Sequence, residues 1–373
     1  MKNIFRLIFV SALAFAFVAC DAEEGTGAGE LAKLKITVDK TIVQANSDDY
    51  VLVTVTGKDG VITDGLVYID KKTNKSLAIV DGKFRPEKAG EYVFMASDGI
   101  SSFSDYVTVL AIDYPVPAVP EDTEADKHAF NKKAMIVQFT STGCVGCPGM
   151  KTVLKDLSVD ESYSYKYVLA SSHHDMDGVD DPATYHGNDM FASKLMNNNV
   201  SYPTLILDYM YTYQDYTDPE ILKSTIDKLY RDGLSAAGIA VNSQGSSVAV
   251  VARVLVKVGA EADGQWRVGA FLLQDGIIAN QKNAPDDSIE WKTHNNCIRA
   301  MDCNPNAVYC GHSLGRMPVG GTKDYTFVFS DLESNVVVDD CKLMIFVTCN
   351  NVVQNACIVP IGENVGFDYA SVN

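Results

Sequence analysis

Two cysteines three residues apart, Cys144 and Cys147, sit in the stretch Thr142-Gly143-Cys144-Val145-Gly146-Cys147-Pro148. A Cys-x-x-Cys pair can cycle between dithiol and disulfide, or supply half of a zinc site. The flanks bear on the choice. An apolar run over 135–139 precedes the pair and a helical pattern over 150–157 follows it, so a strand, a tight turn and a helix are expected to meet at the two thiols. A thiol where a helix begins is favoured as thiolate by unpaired backbone N–H groups and the helix dipole. A second thiol one turn on is within reach to close a disulfide. Pro148 suits a first helical turn, where its missing N–H costs nothing. In that chemistry Cys144 attacks and Cys147 resolves.

About sixty residues later comes Val200-Ser201-Tyr202-Pro203-Thr204-Leu205-Ile206-Leu207-Asp208. Pro203 opens a strand, a place where proline forfeits no ladder bond. The combination resembles a thioredoxin-like domain, in which a cis-proline at this place faces the cysteine pair. The resemblance makes Pro203 a third site residue, one that shapes a peptide groove.

The elements that must position these residues lie in a multidomain chain of 373 residues. Residues 1–19 have a positive start, Lys2 and Arg6, and an apolar run too short to span a bilayer securely. They end Phe17-Val18-Ala19-Cys20, which resembles a bacterial lipobox. The resemblance implies a lipoprotein signal peptide, lipidation of Cys20 and a lipid anchor in the membrane. Residues 20–30 are a small, acidic tether, similar to the export signal of surface-exposed lipoproteins of Bacteroidetes. Residues 31–112 read as alternating strands with turn signals at Lys58-Asp59-Gly60, Asp81-Gly82 and Ser97-Asp98-Gly99, an immunoglobulin-like β-sandwich serving as spacer or binding module. A linker with Pro115, Pro117 and Pro120 covers 113–133. The thioredoxin-like α/β domain covers 134–233, with a helix whose N-cap is Thr217 or Asp218. Residues 234–373 return to strands, a C-terminal β-sandwich with an irregular excursion over 279–321.

No cofactor or metal is expected. The loop after the second strand of the α/β domain places Asp175, Asp177 and Asp180 around Gly178, loosely like a calcium loop but without the closing glutamate. His173, His174 and His186 are a zinc alternative, and a solvent-facing acidic loop is the third reading. The C-terminal segment holds six cysteines, Cys297, Cys303, Cys310, Cys341, Cys349 and Cys357. In an exported protein an even number points to disulfides. Cys303 with Cys310 is the expected local bridge, and Cys341 with Cys349 is excluded because they end one strand. Cys297, Cys303, Cys310 and His312 are a further zinc candidate. The net charge of −17 argues against nucleic-acid partners, whose phosphates require Lys and Arg.

Taken together, Gln138-Phe139-Thr140-Ser141-Thr142-Gly143-Cys144-Val145-Gly146-Cys147-Pro148, Tyr202-Pro203-Thr204 and the His294-Asn295-Asn296 to Arg299 region resemble the outer-membrane-protein-28-related lipoproteins of Bacteroidetes. That implies an outer-membrane, lipid-anchored, surface-exposed location, with exported proteins or surface ligands as partners. Two departures from working thioredoxins stand out. Gly143 replaces their tryptophan, and Gln138 replaces the buried carboxylate that relays protons to the second thiol; an amide does no acid–base work. Two functions therefore remain open: thiol–disulfide exchange on exported proteins, or surface binding with the pair as a static disulfide. Exposure of the Cys144 sulfur beside Pro203 discriminates between them.

Overall fold

The computed structural model describes residues 34–176 and 178–371; Cys20 and Asp177 lie outside them. The chain is mostly β-sheet and divides into two units. Among the described residues, the smaller comprises 34–117 with 244–249. In its described part, Lys35–Val38, Val51–Gly57, Lys83–Phe84, Ile79–Val80 and Gly60–Val61 form one sheet, and Ile42–Gln44, Val107–Ile112, Gly90–Ser97, Val67–Asp70 and Ser76–Leu77 a second. The alternation Val51, Val53, Val55 from the first sheet meets Phe94, Ala96 and Val109 from the second in one dry cluster. Each of the buried valines and Phe94 contributes roughly 1.5–3 kcal/mol by leaving water. The unit is a two-sheet sandwich, antiparallel except that Val107–Ile112 runs parallel to Ile42–Gln44.

The larger unit carries the cysteine pair. Its spine is one nine-stranded mixed sheet. We label its main elements β1 (Ala134–Thr140), α1 (Cys147–Val159), β2 (Tyr167–His173), α2 (Asn188–Leu195), β3 (Thr204–Leu207), β4 (Tyr211–Tyr213), α3 (Pro219–Tyr230), β5 (Trp266–Gln274), β6 (Cys297–Asp302), β7 (Cys341–Cys349) and β8 (Val352–Pro360). Sheet order is β4-β3-β1-β2-β6-β5-β7-β8, and His312–Gly315 also pairs with β5. β1 and β2 run parallel, joined by the α1 crossover. The α3 N-cap is Asp218, whose Oδ1 accepts from the Glu220 N–H at 3.2 Å.

The break expected between 233 and 234 does not divide this sheet. β2 and β6 pair in parallel, with Ser171 opposite Cys297, so strands from both sides of the expected boundary form one body. The cause is an edge. β2 would otherwise expose a row of unpaired N–H and C=O groups, and β6 covers it. On one face of the sheet, Val137, Phe139 and Ala170 merge with Phe271, Leu273, Met344 and Phe346 into a single apolar cluster with Phe191 of α2. On the other face two coverings share the surface. Helices α1 and α3 pack Met150, Leu154, Leu157, Leu222 and Ile226 on Ile136, Leu205 and Leu207. A four-stranded sheet built on Ala237–Gly245, Ala249–Val258, Thr322–Ser330 and Asn364–Val365 packs on Trp266, Val268, Leu272 and Leu343.

Candidate functional site

Cys144 and Cys147 are joined by a disulfide, with Cα atoms 5.4 Å apart, inside the range a bridge requires. Helix α1 begins at Cys147, so Cys144 lies in the turn before it and donates its N–H to Ser141 O at 3.2 Å. The first turn has no side-chain cap, and its Gly149 N–H donates to Gly146 O at 3.1 Å.

Pro203 is where the sequence places it. The Tyr202–Pro203 bond is cis, and a Cβ on Gly146 would come within 3.3 Å of both Pro203 Cδ and the Tyr216 hydroxyl. Pro203 and Tyr216 thus both flank Gly146 in the cysteine turn. Tyr216 was not singled out in the sequence, because nothing in a loop tyrosine marks it.

The pair is covered. Cys144 and Cys147 are each only 2 % exposed, while Val145 between them is 56 % exposed. Three segments close around the turn. Tyr216 is one. The loop after β2 is the second: a Cβ on Gly143 would lie 2.5 Å from the Met176 carbonyl oxygen, so the loop occupies the space a tryptophan would need. The third is 281–283, from the irregular excursion. Gln281 Nε2 lies 3.1–3.2 Å from the carbonyl oxygens of Ser141, Thr142 and Cys144; Lys282 N–H donates to Thr142 O at 2.8 Å; Asn283 Nδ2 donates to Val145 O at 2.9 Å. Sequence reading missed this segment because its residues carry no periodic pattern.

Behind the disulfide, between α1 and the sheet, is a cavity of about 490 Å³ bordered by Cys147, Gln138, Lys151, His173, His294 and Trp291, among others. Gln138 is buried and its Oε1 accepts from Ser171 Oγ at 3.1 Å. His173, also buried, faces Asp181: Nδ1 is 2.9 Å from Oδ2, which also accepts the Thr142 N–H at 2.7 Å. Burial is the largest influence on Asp181 and raises its pKa, but the His173 partner and the Thr142 and Ala183 N–H bonds outweigh it and bring it down to about 2.

The metal candidates are dispersed. His174 stacks on Tyr202 and pairs with Asp189, and His186 reaches Glu333. Asp175 Oδ1 accepts from the Asp181 N–H and Thr184 hydroxyl, and Asp180 is exposed. His312 pairs with Asp302 at 2.6 Å. The expected Cys303–Cys310 bridge is not formed, and all six C-terminal cysteines are free thiols. Among the described residues no three His, Cys, Asp or Glu side chains are arranged to hold a metal ion.

No protein-family model and no curated protein matches the chain. Among solved structures, HBP35 of Porphyromonas gingivalis is similar over 66% of this chain and 81% of its own, with a TM-score of 0.52 at 17% identity. That likeness shows shared fold alone. A protein of Agrobacterium tumefaciens aligns with 64% of this chain and 99% of its own at a TM-score of 0.40 and 16% identity. A domain of the outer membrane lipoprotein Omp28 from Porphyromonas gingivalis aligns with 35% of this chain and 91% of its own at 0.24 and 14%. Neither of these two similarities is strong enough to argue from.

Proposed function

We propose that this chain is a lipid-anchored cell-envelope protein whose α/β part is a thioredoxin-like unit performing thiol–disulfide exchange on exported proteins, carried beside an immunoglobulin-like module. The observation that carries the reading is the constellation at the start of α1: a Cys144–Cys147 disulfide against cis-Pro203. Cys144 attacks a substrate disulfide as thiolate, and Cys147 attacks the resulting mixed disulfide, so two electrons pass to the substrate and the pair returns to the oxidised form. The lipobox-like Cys20 and the resemblance to outer-membrane lipoproteins support an outer-membrane, surface-exposed location. Among the described residues no helix is long and apolar enough to cross a membrane.

A second reading, a binding protein with a static disulfide, is favoured by one specific observation: both cysteines are covered. Trapping separates the two. In a Cys147→Ser variant the resolving thiol is gone, so exported proteins are expected to accumulate as mixed disulfides through Cys144, lost on reduction and absent from Cys144→Ser/Cys147→Ser. No accumulation would leave the static disulfide standing. Location has its own test. Cys20→Ser is expected to move the protein from the membrane fraction to the soluble fraction, and unchanged membrane retention would sink the lipid anchor.

A further inference from the structure

The cover that β6 gives to the edge of β2 is partial. Between β1 and β2 the Ala134 N–H donates to Lys166 O at 2.8 Å, and the His174 N–H donates to Thr140 O at 3.1 Å. Even-numbered residues of β2 therefore turn their backbone groups to β1. The Ser171 N–H donates to Asn296 O at 2.7 Å, so odd-numbered residues turn theirs to the opposite edge. There β6 forms a single rung, Ser171 opposite Cys297. The ladder stops for a local reason. Asn296 sits at φ 57, in the left-handed region. A continued parallel ladder would aim its N–H at Leu169 O, but that N–H donates to Asp275 Oδ1 at 2.7 Å. Among the described residues no strand pairs with Tyr167 or Leu169 on this edge.

The uncovered stretch borders the cavity behind α1. Tyr167, Val168 and Leu169 are part of its wall. The wall reaches both faces of the strand, with Leu154 of α1 on one and Ile358 of β8 on the other. The result is a slot along a strand edge. We propose that this slot is a peptide-binding site, separate from Cys144–Cys147, that takes an extended, uncharged segment of a partner protein as an added strand on β2. Strand addition draws its affinity from main-chain hydrogen bonds. Tyr167 and Leu169 are two residues apart, about 6.6 Å at the strand rise, so three residues of a partner span their groups. A cavity of about 490 Å³ is of the size that holds such a ligand.

The charges in the wall are answered within the chain. Lys151 Nζ lies 2.7–3.3 Å from the carbonyl oxygens of Glu290, Trp291 and Thr293. Lys155 pairs with Glu290, and His173 with Asp181. Burial, the largest influence, holds His294 down to about 4, so it is neutral at neutral pH. Gln138, Asn295 and Asn296, also in the wall, are uncharged amides. Nothing there calls for an ionic ligand, and the edge itself calls for a peptide backbone.

The test uses the full chain with Cys144–Cys147 kept oxidised, so failure here leaves the thiol–disulfide reading untouched. Amide hydrogen exchange is followed residue by residue by NMR. In the free chain the Tyr167 and Leu169 N–H groups are expected to exchange about tenfold or more faster than those of Val168 and Ala170, which β1 holds. The probe is N-acetyl-valyl-threonyl-valine amide, made of residues that favour strands. Four net hydrogen bonds correspond to a Kd of about 1 mM. Saturating probe is expected to slow exchange at Leu169 about tenfold or more and to leave Val168 and Ala170 unchanged. Methylating the probe's amide nitrogens reads the alternation. Loss of protection on methylating both valine nitrogens but not the threonine nitrogen marks antiparallel addition, and the reverse marks parallel addition. Equal losses, or no protection of Leu169 at about 10 mM probe, overturn the proposal. So does equal protection by maltotriose, which would mean that any neutral polar molecule fills the cavity. Protection of Leu169 in the free chain that grows with protein concentration would seat a second copy of this chain on the edge, and that too overturns the proposed partner.

Discussion

Replacing Gln281 and Asn283 together by alanine is expected to make the Cys144–Cys147 disulfide roughly 30-fold faster to reduce by dithiothreitol. The two amides hold segment 281–283 to the carbonyls of 141–145. A net hydrogen bond contributes about 1 kcal/mol, so losing two lowers the free energy of opening by about 2 kcal/mol, and about 1.4 kcal/mol is tenfold. The contacts reach backbone rather than sulfur, so the variant leaves the chemistry of both thiols intact and alters only access. Reduction followed by alkylation and mass spectrometry reads the rate. A rate unchanged from the parent would mean that segment 281–283 is not what restricts the pair, and would point to Tyr216 or the loop after β2. Faster reduction also bears on the function. It would reconcile a working exchange site with two covered cysteines, since a substrate peptide would have to displace this segment to lie along Pro203.

The cysteine turn, its helix and cis-Pro203 were legible because each carries a local signal: an apolar run, a spacing of three, a proline before a strand. The exposure of Cys144 was not legible. Its cover comes from Gln281 and Asn283, 137 and 138 residues away from the groups they bond, in a segment without periodicity. The same distance hid the join between the two sheet halves. The apolar run at β1 reads as a strand, and the structure buries it on both faces, but burial on both faces says nothing about which edge pairs with which. His173 and Cys297 were each weighed as zinc ligands, but among the described residues neither belongs to a group of three that could hold a metal ion. Alternation along β2 put His173 on the face of Gln138, but the parallel pairing of Ser171 with Cys297 is a tertiary fact. The Gln138 substitution reads differently with the cavity in view. Gln138 is an amide that can relay no proton, and the buried imidazole–carboxylate pair of this unit joins His173, on the next strand and the same face, to Asp181 in the loop that follows it.

Lys132→Met is expected to be the most destabilising single change in the larger unit, about 3–5 kcal/mol, because it strands a buried carboxylate. Lys132, assigned from the sequence to a linker, is buried, with Nζ 2.8 Å from Asp208 Oδ2. Asp208 Oδ1 accepts the Met135 N–H at 2.7 Å, and the Asp208 N–H donates to Met135 O at 2.9 Å. The carboxylate therefore ties the end of β3 to the start of β1, the strand that leads into the cysteine turn. Burial, its largest influence, already raises the Asp208 pKa, and Lys132 is the first influence opposing that rise. Without the lysine the folded-state pKa rises further above the unfolded value. A carboxyl raised in this way destabilises the fold most where it must be ionised, at neutral pH, and the penalty shrinks as pH falls and the group stays protonated in both states. Urea unfolding of Lys132→Met is thus expected to show its full deficit at pH 7 and a smaller one at pH 5. Lys132→Met/Asp208→Asn is expected to recover most of the loss, since a neutral amide can still accept the Met135 N–H and leaves no buried charge. A deficit of equal size at both pH values, with no recovery in the double variant, would show that the lysine acts through packing of its stem and not through the charge of Asp208.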